Sequence, residues 1–363
     1  MSSAPWREAA ERIGKNVDRE KLITAIRAER LGGAVYCLLK ANGTFGLFSS
    51  DDVSILERVY QTYKARNLLF ADELAALARI FEAEKIPAVV IKGANCLRLC
   101  YADKGMRGMD DVDIVVDADA FESVRTLLLE RGYRGAPYDR DFVYAPSGAL
   151  FDLHRDPFDT HRIRSRKYYL SWDMRRVWER SEQYKDECRY VRCLTPVDEI
   201  IVSSIHAAKH SFSGLSHLLD IALLVREYGE DTPGDLFIER ANSFGGKRAV
   251  YFALTLVDRI FGARLYSGEY GSLLRKPLNG YEKRALDEIH ARMQNEMLGT
   301  ILPFFEIDGA WRKVSYVIEN VFPRPSVIGE TYAASGFARV ALKYPYRLYR
   351  LIAKGAGSAS KTV

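Results

Sequence analysis

The stretch from Ile86 to Val116, IPAVVIKGANCLRLCYADKGMRGMDDVDIVV, limits what this chain can fold into more than any other. A short apolar run, Pro87 to Ile91, ends at Lys92-Gly93-Ala94. A segment rich in Leu and Cys follows, then Arg107 and a polar patch, then Asp111-Val112-Asp113 leading into Ile114-Val115-Val116. Apolar runs of this length, punctuated by glycine, read as strand, turn, helix, loop and strand. Side chains two apart on an extended strand share a face. Asp111 and Asp113 therefore point one way, while Val112 and Ile114 point into a core. Two carboxylates held side by side repel unless a cation lies between them. The simplest such occupant is a hard divalent ion, which prefers oxygen ligands. The pattern is that of a metal-bound catalytic edge.

The flanks supply the rest of a mixed architecture. Residues from about Ala4 to Tyr63 read as helices, with a looser connection at Ala41-Asn42-Gly43 and a helix start at Ser50-Asp51-Asp52. Leu68 to Glu84 carries Leu69, Leu74, Leu77, Ile80 and Phe81 at helical spacing, which predicts a face packed on a sheet. Beyond the second strand, Phe121, Val124, Leu127 and Leu128 make an amphipathic helix that Gly132 ends. Phe142-Val143-Tyr144, the turn Pro146-Ser147-Gly148 and Ala149 to His154 read as a hairpin. On its second arm Leu150, Asp152 and His154 share one face, so Asp152 supplies a third carboxylate if this arm lies beside the Asp111 strand. Asp110 reads as a turn or cap residue, and His154 either touches the site or packs as a hydrogen-bonded residue.

Taken together, the Ile86–Val116 run and the later LFDLH segment resemble the nucleotidyltransferase superfamily with the polymerase-beta-like fold, in particular its poorly characterised Lys-Gly branch among bacterial proteins. That pattern is a glycine turn after a first strand, a D-x-D pair on the next and a third acid on a later strand. Here these fall at Lys92-Gly93, at Asp111 and Asp113, and at Asp152. The similarity extends thinly through His206, Lys209, His210 and Leu218-Leu219-Asp220-Ile221 to Phe261-Gly262. The chain departs from the usual Gly-Ser or Gly-Gly turn, since Lys92 precedes the glycine and Ala94 follows it, and the gap to Asp111 is longer.

The resemblance implies an α+β fold: a small mixed nucleotidyltransferase sheet with flanking helices, plus N-terminal and C-terminal helical regions. We expect a helical module over 1–64, the sheet-bearing core over 65–194, a helical domain over 195–335 and a basic amphipathic tail over 336–363. It also implies transfer of a nucleoside monophosphate, AMP above others, from a nucleoside triphosphate to an acceptor, with pyrophosphate leaving. Mg2+ or Mn2+ would be held by Asp111, Asp113 and Asp152. In such chemistry two ions about 3.5–4 Å apart stabilise the attacking and leaving oxygens. Gly93 would let backbone N–H groups approach phosphate. Lys92 and Arg107 would neutralise its charge, and Lys209 and His210 would line the nucleotide cleft. The acceptor class stays open among small molecule, peptide, protein and RNA. Two other readings stand beside this one. A metal-dependent glycosyltransferase also uses D-x-D but leaves Lys92-Gly93 and Asp152 without a role. A protein that kept the fold and lost the reaction would still bind nucleotide.

Composition narrows the setting. The 363 residues, 48% hydrophobic with a net charge of +5, suit a folded protein with a sizeable core and do not announce a nucleic-acid binder. The N-terminus lacks an apolar leader, and no apolar run approaches the ~20 residues that span a bilayer, so a cytoplasmic protein with no stable membrane insertion is expected. Five cysteines with no Cys-x-x-Cys pair point to reduced thiols. Between Arg162 and Arg180, seven Arg and Lys alternate with Tyr168, Tyr169, Trp172 and Trp178. Such a run can bind phosphate and stack bases, but a solvated face with inward-packed aromatics is preferred. Thr195-Pro196-Val197-Asp198 is a capping box opening a helix. His206 and His210, four apart on that helix, lack the third ligand a zinc site needs.

Overall fold

The computed structural model describes residues 18–136, 141–185, 188–263, 272–274, 277–290, 298–332 and 337–360. Helices α1 (Arg19–Ala28), α2 (Gly32–Asn42) and α3 (Ser50–Ala83) come first. Gly43 ends α2 in the left-handed conformation, at φ 64°. The cap of α3 is Ser49, one residue before the expected start. Its side chain accepts from the Asp52 amide, and the Asp52 carboxylate accepts back from the Ser49 amide. Position 64 lies inside α3, which runs unbroken for 34 residues. The first half of α3 closes a small core with α1 and α2 through Ile23, Ile26, Tyr36, Leu39, Leu56 and Tyr60.

The second half of α3 feeds β1 (Ala88–Val90), α4 (Lys92–Leu99), β2 (Val112–Val116), α5 (Phe121–Glu130), β3 (Arg134–Gly135), β4 (Phe142–Tyr144) and β5 (Leu150–His154). A short helix α6 (Met174–Arg180), β6 (Glu182–Gln183) and β7 (Val191–Cys193) complete a seven-stranded sheet ordered β3-β4-β5-β2-β1-β7-β6. It is mixed, as expected: β2 runs antiparallel to β1 but parallel to β5. The apolar runs Ala88-Val89-Val90 of β1 and Ile114-Val115-Val116 of β2 mark strands covered on both faces. Ala88, Val90, Val112, Ile114 and Val116 pack against Leu74, Leu77 and Phe81 of α3 and Phe121, Val124 and Leu128 of α5. Each Val, Leu, Ile or Phe among them, when fully buried, contributes about 1.5–3 kcal/mol, so this face holds α3 in place. Leu69 is a correction to the expected stripe: it is 39% exposed, because the helix turns it away from the sheet.

The other face, led by Val89, Ile91 and Val115, packs against the C-terminal helices. These are α7 (Pro196–Lys209), α8 (Leu215–Tyr228), α9 (Gly234–Phe244) and α10 (Lys247–Phe261), followed by α11 (Gly280–His290), α12 (Leu298–Glu306), α13 (Ala310–Val321), α14 (Pro325–Thr331) and α15 (Phe337–Ser360). Thr195 caps α7 by accepting from the Asp198 amide at 3.3 Å. The other half of the expected capping box goes elsewhere, as the Asp198 carboxylate is taken by Arg180. None of the five cysteines forms a disulfide. No helix among the described residues is long and apolar enough to cross a membrane.

Candidate active site

The parallel pairing of β2 and β5 sets Asp113 directly opposite Asp152. The hairpin arm therefore lies beside the D-x-D strand, and the two carboxylates share the face opposite Val112 and Ile114, which are buried in the core. Lys92 Nζ lies 2.6 Å from Asp113 Oδ1. His154 Nε2 lies 2.8 Å from the same oxygen and 3.1 Å from Asp152 Oδ2. Asp113, Asp152 and His154 each offer an atom within 4.8 Å of the others, the one group among the described residues gathered closely enough for a metal ion. Asp111, immediately before β2, lines the same cleft but stands outside that group. Asp110 lines the cleft as well, but its carboxylate is paired with Arg30 and Arg66 of the N-terminal helical region.

Charge in this corner is out of balance. Burial, then repulsion from Asp113 and Asp152, pushes the Asp111 carboxyl up to about 6. Burial would do the same to Asp113, but Lys92 and His154 outweigh it and hold its carboxyl far below the usual range. Burial alone would lower His154; the neighbouring Asp152 and Asp113 instead raise it to about 9. Three carboxylates are thus met by one ammonium and one imidazolium. The carboxylate oxygens are the donors a hard divalent ion takes, and the His154 nitrogen can join them only once its proton has left.

The start of α4 forms the next side of the site. Lys92 takes a left-handed φ of 53°, uncommon for a residue with a Cβ, and swings its ammonium onto Asp113. Its backbone N–H donates to both oxygens of Glu199, each at 3.0 Å, and Glu199 also accepts from Asn95 and Ser203. The first amide of the turn is therefore occupied by a protein carboxylate. Gly93 is required by close approach: a Cβ there would sit 2.6 Å from Arg107 Nη1 and 3.0 Å from Met109 Sδ. Arg107 in turn makes a two-pronged pair with Asp220, Nε to Oδ1 at 2.8 Å and Nη2 to Oδ2 at 2.7 Å, with Tyr101 Oη donating to the same carboxylate. Asn67, buried in α3, holds the intervening loop by donating to the carbonyls of Lys104 and Arg107.

Helices α7 and α8 close the cleft. Lys209 reaches Asp159, which also accepts from Arg166. His206 and His210 are joined by His217 from α8, with ring centroids 4.7, 5.1 and 5.7 Å apart. His217 is the third imidazole that sequence spacing did not show, yet the three rings do not gather their nitrogens as the carboxylate group does. Burial, and after it nearby cations including Lys92 and Lys209, lowers His206 and brings His210 down to about 4, so both are neutral at pH 7. The space between these walls is about 630 Å³, within the range of small-ligand sites. Ala28, Glu29 and Arg30 line it from the N-terminal side. A second cavity of about 520 Å³ lies beside Lys167–Ser171, but its Glu306 caps the start of α10 by accepting from the Lys247 and Arg248 amides.

The structure thus brings Lys92, Gly93, Arg107, Asp111, Asp113, Asp152, Lys209 and His210 to one cleft. Sequence reasoning missed Glu199, Asp159 and His217. Of the aromatic residues in the basic run, Trp172 stacks on Phe244 at 5.8 Å and Tyr169 meets Tyr316 edge-on, whereas Tyr168 is 37% exposed.

The site thus combines a mixed sheet, a glycine turn after its first strand, and acids at the two neighbouring strands β2 and β5. Over residues 15–262 the chain matches the family described as uncharacterised nucleotidyltransferase, and it belongs to that family. The match ends at Gly262, where the sequence resemblance ended. Among solved structures the chain is similar to an antigenic nucleotidyltransferase-like protein from Paracoccidioides brasiliensis, at 14% identity and a TM-score of 0.36, covering 61% of this chain and 94% of that one. No curated protein sequence matches the chain.

Proposed function

We propose that this protein transfers a nucleoside monophosphate, AMP first among the candidates, from a nucleoside triphosphate to an acceptor hydroxyl. The acceptor oxygen forms a bond to the α-phosphorus as the bond to the bridging oxygen of pyrophosphate breaks. The observation that carries this reading is the register pair Asp113–Asp152 with His154, beside Asp111 and the α4 N-terminus in one cleft.

Asp113 and Asp152 are the residues that would hold a divalent ion, with Asp111 completing the acidic set and His154 either ligating or yielding its place. A bound Mg2+ or Mn2+ would supply charge neutralisation at the phosphate oxygens. Asp152 orients the acceptor hydroxyl and takes its proton. Lys92, released from Asp113 when the site fills, turns its ammonium to the phosphates. Arg107, fixed by Asp220 against Gly93, keeps positive charge beside the turn, and Lys209 and His210 line the nucleotide side of the cleft.

The test is incubation with each α-labelled nucleoside triphosphate, Mg2+ or Mn2+ and a cell extract, asking which molecule acquires label. Label in an acceptor with equimolar pyrophosphate supports the reading. Release of a nucleoside diphosphate from a sugar nucleotide would favour glycosyl transfer. No metal-dependent triphosphate consumption would leave nucleotide binding alone.

A further inference from the structure

The positive charge of this protein is concentrated at one end. Residues 310–363 hold nine Lys and Arg against two Glu, a net of +7, whereas the whole chain carries +5; the preceding 309 residues are therefore net −2. Helix α15 falls in this region, and over 337–360 the sequence has five Lys and Arg and no acid.

The same region leaves large apolar side chains in solvent. On α13, Trp311 is 77% exposed, Val314 46%, Ile318 53% and Phe322, just past its end, 53%. Their spacing of three, four and four residues puts them in a single stripe. The packing of α13 uses a different face: Tyr316 is buried with its hydroxyl on the Thr300 carbonyl, and Glu319 accepts from the Arg164 and Ser165 amides. On α15, Leu342 is 73% exposed, Tyr346 49% and Tyr349 69%, again four and three residues apart. This helix too is anchored elsewhere, by Tyr344 Oη on the Pro323 carbonyl at 2.6 Å and Arg347 on the Asn320 carbonyl at 2.7 Å. The two helices meet where the Phe322 and Tyr344 rings lie 6.4 Å apart. The stripes are thus faces left over after docking, not faces waiting for a loose helix to settle.

We propose that α13 and α15 form a peripheral membrane-binding face that recognises anionic phospholipid. A surface carrying Trp, Tyr and Leu among cations fits a partner that is apolar inside and negative outside, which describes the headgroup boundary of such a bilayer. A second copy of this chain fits poorly, because it would bring +7 against +7. Nucleic acid would leave Val314, Ile318 and Leu342 against a polar backbone. The helices lie on the surface and do not span it, consistent with the absence of a membrane-crossing helix among the described residues.

The experiment is co-sedimentation of the full chain with vesicles of phosphatidylcholine alone and of phosphatidylcholine with phosphatidylglycerol. Binding to the second only, released by high salt, is expected. Each Lys or Arg near an anionic surface strengthens partition by about fivefold, so Arg339→Glu with Lys343→Glu should weaken binding by more than tenfold. Trp311→Ser with Leu342→Ser and Tyr349→Ser should weaken it at least as much, with an unchanged thermal melt in both variants. Four results would overturn the proposal: no binding to the anionic vesicles at low salt, equal binding to both compositions, wild-type binding by both folded variants, or a concentration-dependent dimer that the serine variant abolishes.

Discussion

The two walls of the cleft carry charge in opposite ways. On the helical wall and its floor, each strong charge is closed by a partner: Arg107 by Asp220 with Tyr101, and Lys209 by Asp159. The imidazoles there are driven neutral by burial and by neighbouring cations. On the sheet wall, Asp111, Asp113 and Asp152 outnumber Lys92 and His154, and Asp111 is pushed up to about 6 by burial and by the other two acids. A closed pair contributes to holding a shape, since removing one member strands a buried charge. An unbalanced cluster is a place where an ion or a substrate charge can enter. The difference separates the residues that shape the cleft from those proposed to do its chemistry.

If that division holds, Asp113→Asn should be the variant with the largest effect on turnover, a loss of about a thousandfold or more, in line with losing an electrostatic group at the reacting phosphate. Its far-ultraviolet circular dichroism should match the parent. Retained turnover would remove Asp113 from the mechanism. Asp220→Asn should do the reverse. It strips the Arg107 fork of its charge partner and should cost about 3–5 kcal/mol of stability, read as a lower denaturation midpoint. A variant as stable as the parent would show the pair to be dispensable.

A pH series sharpens the comparison further. The folded His154 sits at about 9 against an ordinary 6.5. Its protonated form therefore stabilises the fold fully below pH 6.5, and that contribution is lost as pH rises through 9. The shift corresponds to about 3 kcal/mol. His154→Gln should flatten stability across that window; an unchanged curve would place the titration elsewhere. Because the same proton sits between Asp113 and Asp152, Mn2+ binding to the proposed site should tighten over the same rise in pH. Gly93→Ala should be the mildest change. Its Cβ forces Arg107 or Met109 to give way and should cost about 1–2 kcal/mol, with a raised KM for the triphosphate as the readout.

Much of the sheet wall is legible in the sequence, because period-2 alternation is local. Val112 and Ile114 had to point inward, and Asp111 and Asp113 the other way; LFDLH placed Asp152 and His154 together on one face. The parallel pairing that sets Asp113 against Asp152 needed one further assumption, that the hairpin joins the same sheet. The helical wall was less legible. Glu199 reads as a first-turn acid favouring the helix dipole, and nothing nearby says that it is buried under the Lys92 amide 107 residues away. Arg107 looked like a free phosphate ligand until Asp220, 113 residues on, closed around it. His217 joins His206 and His210 only because α8 packs back on α7. Long-range packing, not local pattern, decides these.

The most direct measurement of the central claim uses ATP labelled in parallel at the α- and γ-phosphorus, with the acceptor fraction and Mg2+. Nucleotidyl transfer predicts α-label in the acceptor and γ-label in pyrophosphate, both abolished by Asp113→Asn. γ-Label in the acceptor, or products unchanged in the Asp113→Asn variant, would contradict it.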